Sequence, residues 1–382
     1  MKKKDVAGLI VYALMVVIAL LVALIFIKPL FESGIFEVGN AFILIYVYTF
    51  LIIVGALIVN AIGLELMHLL GAKVGRYNVD EFNVFGFSFH KKLGKWKFGF
   101  RQFDGLTGSV VVAPKDENSK LTAYVWLPIL AYIIELIAGV VLFAVFSGTK
   151  IGQPNANTHH LIALIAIIFA TVSSMLALYN FVPFELDSET DGHRLVLTTK
   201  KINMEAYNEL ARIEHLQREG KEVGQIRVFE QITEYTANIN LISVYEHLSK
   251  EEYKEAEKLI DAIIVDPEKI SRTTYYRLLA QKLYIKIIAL PKREAEAYYD
   301  ENIDDKVRRF ISNDVSMESV RAYILIAGML DESQAEVNYA RSFMKKAMKR
   351  ALPSRVEIEK KLYEQAFEIV KKSHPLWEWE NK

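Results

Sequence analysis

Residues 41–72 read Ala41-Phe-Ile-Leu-Ile-Tyr-Val-Tyr-Thr-Phe-Leu-Ile-Ile-Val-Gly-Ala-Leu-Ile-Val-Asn-Ala-Ile-Gly-Leu-Glu-Leu-Met-His-Leu-Leu-Gly-Ala72. The stretch 41–63 carries no charge and is long enough to cross a bilayer as a helix. Glu65 and His68 follow at once. Ionisable side chains at membrane helices are costly, so they point to function by default.

Three further segments have the same character, at about 6–31, 123–146 and 161–181. Lys2, Lys3 and Lys4 precede the first, as in a signal peptide. Its apolar core is too long for that, and no clean cleavage site follows, so it reads as a retained span. The connection between spans two and three carries nine basic residues, from Lys73 to Lys120. The turn after span one has no Lys or Arg beyond Lys28, and the loop after span three has only Lys150. The basic loop and both termini are therefore expected in the cytoplasm.

The expected fold is mostly α. Residues 1–199 form a polytopic membrane domain of about four transmembrane helices, and residues 200–382 an all-α soluble domain. Within 71–120, Phe82-Asn-Val-Phe-Gly-Phe-Ser-Phe89 and Trp96-Lys-Phe-Gly-Phe100 alternate with period two, the strand signature. A small β-like cytoplasmic insertion is expected there. Beyond about residue 200, Tyr253, Ala256, Leu259, Ile260 and Ile263 recur at helical spacing, and Pro267, Pro291 and Pro353 fall between such runs. The run ending at Pro267 is similar to the second helix of a tetratricopeptide unit, without a strict repeat period. Helical stacks of this kind bind proteins or peptides.

With 46 basic and 46 acidic residues, the net charge is zero and nothing favours nucleic acid. The absence of cysteine excludes disulfides and thiol catalysis, and leaves His, Asp and Glu as metal ligands. Leu64-Glu-Leu-Met-His68 fits the zinc helix His-Glu-x-x-His except at its first position. In that motif two imidazoles at i and i+4 share a helix face and hold zinc, and the glutamate activates the bound water. Leu64 cannot bind metal. His193, His90 and Glu135, the last in mid-span, are candidate replacement ligands. His159 and His160 are expected in a solvated external loop.

At the end of span four stands Asn180-Phe-Val-Pro183-Phe-Glu-Leu-Asp187-Ser-Glu-Thr-Asp191-Gly192-His193. Together with Leu64-Glu-Leu-Met-His68, over roughly residues 41 to 200, the chain resembles the site-2 protease family (M50 type) of intramembrane metalloproteases. The resemblance implies that His68 and Asp191 are zinc ligands and Glu65 the general base. It implies that Asn180 and Pro183 shape the helix break beside the site. The spacing from Asn180 to the Asp-Gly pair is longer than the compact motif, so Asp187 competes with Asp191. Gly192 favours Asp191.

With its first ligand lost, the chain is expected to be a catalytically impaired homologue, a pseudoprotease. It would bind a membrane-embedded or peptide substrate or partner, and recruit a cytoplasmic protein through its C-terminal helices. The expected location is a bacterial plasma membrane, with multiple passes. Two alternatives are an active zinc endopeptidase with altered ligation and a plain membrane anchor for a helical adaptor.

Overall fold

The computed structural model describes residues 3–32, 42–100, 108–150, 153–183, 190–350 and 353–379. It is mostly helical, and it divides into two compact units. One comprises Met1–Lys91 and Trp96–Lys200, the other Lys201–Lys382 with the turn Lys92–Lys95.

The first unit opens with α1 (Lys3–Val22), a π-helical turn (Ala23–Ile27) and α2 (Lys28–Glu32), followed by α3 (Phe42–Val74). After a sheet come α4 (Leu121–Ser147), α5 (Ala156–Phe181) and the short α6 (Asp191–Thr198). Gly8–Phe31, Tyr46–Val74, Leu121–Ser147 and Ala156–Phe181 are helices of 24 to 29 residues, apolar enough to cross a membrane. The shortest is about 36 Å long at 1.5 Å per residue, more than a hydrocarbon core needs.

Of these helices α5 is the most buried. Its Ala163, Leu164, Ile168 and Leu176 pack into one cluster with Ala56, Leu64 and Tyr132. Small residues permit the close approach: a Cβ on Gly139 of α4 would lie 2.6 Å from the Ala170 Cβ of α5. Gly71 and Gly75 do the same where α3 meets the start of α4. A Cβ there would lie 2.6 Å from the Ala123 carbonyl oxygen and 2.5 Å from that of Lys120.

Span two does not end at Gly63. The helix continues to Val74, so Glu65 and His68 lie inside it rather than at its terminus. His160 is also not in a solvated loop: α5 begins at Ala156, and His160 is buried.

The insertion forms a four-stranded sheet in the order β3-β2-β1-β4, from β1 (Tyr77–Val84), β2 (Phe87–Lys92), β3 (Lys95–Phe100) and β4 (Gly108–Pro114). β1 pairs antiparallel with β2 and with β4. The links Phe85-Gly86 and Leu93-Gly94 have positive φ at both positions, the type I′ arrangement that matches strand twist. Alternation leaves Phe87, Phe89, Trp96, Phe98 and Phe100 exposed. Phe98 contacts Phe87, Phe89 and Phe100, so the aromatic rings share one face.

The second unit is helical throughout its regular structure, from α7 (Lys201–Glu219) to α15 (Pro353–Ser373). Side chains start the helices: Thr233 caps α8 (Glu234–Ser249), Ser271 caps α10 (Arg272–Ala289) and Ser316 caps α13 (Met317–Leu325). The core gathers Leu248, Ile260, Leu278, Leu283, Ile324 and Val370. Trp377 and Trp379 close the far end against His374 and Phe367. The core also holds an ion pair. Arg321 of α13 donates from Nε to Glu359 Oε2 of α15 at 2.9 Å, both groups buried. The guanidinium lies over the Tyr284 ring at 4.5 Å. Burial works against its charge, and Glu359 outweighs that, holding Arg321 above its ordinary value. Arg321 Nη1 and Nη2 and Glu359 Oε1 complete no hydrogen bond among the described residues.

Candidate functional site

Glu65 and His68 are three residues apart on α3, so they share a helix face. Their side chains meet at 3.2 Å, between Glu65 Oε2 and His68 Nδ1. The other edge of the imidazole, Nε2, meets Asp191 Oδ2 at 2.8 Å, across 123 residues of sequence. Asp191 Oδ1 in turn accepts from Arg194 Nη1 at 3.3 Å, one turn along α6. Tyr124 of α4 closes one face of the imidazole, stacked at 4.7 Å. The result is a chain of alternating charge-bearing groups, Glu65–His68–Asp191–Arg194, buried at its first two members and partly buried at its last two. It ties the second span to the segment after the fourth. Burial raises the Asp191 carboxyl, but His68 and Arg194 more than offset it, so the group sits below the usual carboxylate range.

Local structure fixes Asp191. Thr190 caps α6 by accepting from the His193 amide, and its hydroxyl donates to the Val182 carbonyl just past α5. Gly192 is required by contact: a Cβ there would lie 1.9 Å from the Phe181 carbonyl oxygen. We therefore expect Gly192→Ala to push α6 away and part Asp191 from His68, at a cost of about 1–3 kcal/mol. Covalent modification of His68 by an imidazole-directed reagent, read by mass spectrometry, should then become fast. An unchanged rate would mean that α6 absorbs the methyl group without moving.

The remaining sequence-derived residues fall as follows. Leu64 is buried among Ala56, Tyr132 and Leu176. Asn180 sits in the last turn of α5, which ends at Phe181, and Pro183 follows the break. Glu135 accepts from the buried Ser173 hydroxyl at 2.8 Å, which accounts for a carboxylate in mid-span. His90 lies in β2 beside Ser88. His193 is on α6 next to Asp191. Asp187 lies outside the described residues. Sequence reasoning missed Tyr124, Tyr132 and Arg194. Tyr132 lies near Glu65, Glu135 and Asp191, and its hydroxyl, beside Asn180, completes no hydrogen bond among the described residues. Only Arg194 had a signal, its place three residues after Asp191.

These residues do not fit a catalytic zinc ion. Such a site uses three protein ligands and keeps an open position. Among the described residues no three His, Asp or Glu side chains are grouped to hold a metal. The geometry gives the reason. Glu65 and Asp191 take opposite edges of one ring, so an ion on Nε2 would be out of reach of Glu65. The position where a second imidazole would stand is filled by the Leu64 hydrocarbon. What the arrangement does hold is charge, paired and hydrogen-bonded in an apolar bundle. Comparison with protein families, with curated proteins and with solved structures gave no match for this chain.

Proposed function

We propose that the protein is a non-proteolytic membrane scaffold similar to the site-2 proteases, in which the former metal centre is a structural knot. The observation that carries this reading is the double engagement of His68, with Glu65 on Nδ1 and Asp191 on Nε2. In this reading the membrane unit binds a membrane-embedded or extended peptide segment. The exposed aromatic face of the β2–β3 hairpin supports that, since β3 is a sheet edge among the described strands and an extended chain adds to such an edge. The helical unit recruits a cytoplasmic protein partner. In this reading that side, with both termini, faces the cytoplasm of a bacterial plasma membrane, and the basic connection between the second and third apolar helices supports it.

Metal content of detergent-purified protein tests the reading, wild type beside Leu64→His. We expect zinc far below one per chain in the wild type and no peptide cleavage. Leu64→His should bind about one zinc per chain, because positions 64 and 68 share a helix face and Asp191 supplies a third donor. Stoichiometric zinc in the wild type would overturn the proposal in favour of an active endopeptidase. Little zinc in either protein would mean that the resemblance to a metal centre is superficial.

A further inference from the structure

At the end of the helices away from His68 lies a cavity of about 490 Å³, lined by Phe26, Leu30, Phe143, Ser147, Lys150 and His160 among others. Its wall has two characters. Phe26 and Phe143 pack edge to face at 5.3 Å and make an apolar side. Phe26 belongs to the π-helical turn Ala23–Ile27, and such turns concentrate at functional sites.

The opposite side is polar. His160 Nε2 donates to the Thr149 carbonyl at 2.8 Å. His160 is 3% exposed, yet its Nδ1 completes no hydrogen bond among the described residues. A buried imidazole with one edge satisfied and the other unmet calls for a polar partner. Neutral, with Nε2 protonated, its Nδ1 accepts, so a hydroxyl donor suits it. Lys150 adds an exposed ammonium that makes no ion pair among the described residues.

A second cavity, of about 390 Å³, is lined by Phe31, Tyr48, Ile52, Leu161, Leu164 and Ile165 among others. Phe31 and Leu161 are the chain neighbours of Leu30 and His160, which line the first. Both cavities thus draw on the same two helices, Gly8–Phe31 and Ala156–Phe181, each long enough to cross a bilayer, and the second cavity is almost wholly apolar.

The geometry points to a binding site for one anionic phospholipid with a hydroxylated head group. The phosphate sits at Lys150, a head-group hydroxyl donates to His160 Nδ1, and an acyl chain fills the apolar cavity. Such a site is independent of the reading of the His68 cluster.

The test uses the full chain purified in detergent, with long-chain phosphatidylglycerol or phosphatidylcholine added and lipid retention read by native mass spectrometry. Phosphatidylglycerol should be retained in preference and raise the melting temperature, as any ligand of the folded state does. Lys150→Ala, at an exposed position, should weaken retention about fivefold, the value of one basic residue near an anionic surface. Ile165→Trp should weaken binding of the long-chain lipid and leave a short-chain phosphatidylglycerol unaffected. Equal retention of the two head groups, or no effect of Lys150→Ala, would overturn the proposal. Displacement of the lipid by inorganic phosphate alone would also overturn it, because the site would then take a small anion.

Discussion

Replacing Glu359 by alanine should destabilise the helical unit by about 3–5 kcal/mol. Arg321 would remain buried between α13 and α15 with its one ion-pair partner among the described residues removed. The guanidinium would lose a 2.9 Å charge-assisted hydrogen bond in a site where water does not reach. Two of its nitrogens already complete no hydrogen bond among the described residues, so nothing nearby stands ready to take over. The stacking on Tyr284 would persist, but it contributes only about 1–2 kcal/mol. The paired change Arg321→Met with Glu359→Leu should restore most of the loss, since apolar residues of similar volume replace buried ion pairs at little cost. Hydrogen exchange of the α13 and α15 amides in the full-length protein would measure both. A loss below about 1 kcal/mol for Glu359→Ala would mean that Arg321 is hydrated or paired in solution.

Asp191→Ala should have a comparable effect on the membrane unit, about 3–5 kcal/mol. It would leave the Nε2 edge of His68 and the Arg194 guanidinium facing each other without the carboxylate between them. Asp191→Asn keeps the shape and one oxygen, and should cost only about 1–3 kcal/mol. The two variants also differ in acid. The Asp191 carboxyl is held below its ordinary 3.8 in the folded chain, so its contribution is fully present above that value. It is lost as pH falls through the lower, folded value. Wild type should therefore show an acid-labile component in detergent melting curves that Asp191→Asn lacks. Identical acid profiles would mean that the carboxylate does not stabilise the fold.

Sequence alone disclosed the four long apolar helices and the sheet because both are local patterns: unbroken apolar runs, and Phe82 to Phe100 alternating with period two. It also marked Glu65, His68 and Asp191 by motif. Contacts far apart in sequence escaped it. The apolar run alone points to an end at Gly63, whereas α3 carries Glu65 and His68 inside it, and the partner of His68 there is Asp191, 123 positions on. Tyr124 and Tyr132 look like ordinary residues of a span, and only the fold turns them towards His68 and its carboxylate partners. His160 precedes the apolar run that starts at about residue 161, so nothing local shows that α5 already begins at Ala156. Arg321 and Glu359 sit on separate helices, and nothing in either segment announces that they face one another.

The same 123-residue separation sets a schedule for biosynthesis. At a synthesis rate of about 5–20 residues per second, Asp191 follows His68 by roughly 6–25 s. For that interval the Nε2 edge of His68 on α3 lacks its carboxylate partner. A chain truncated before Asp191 would leave that imidazole edge as an open polar position on α3.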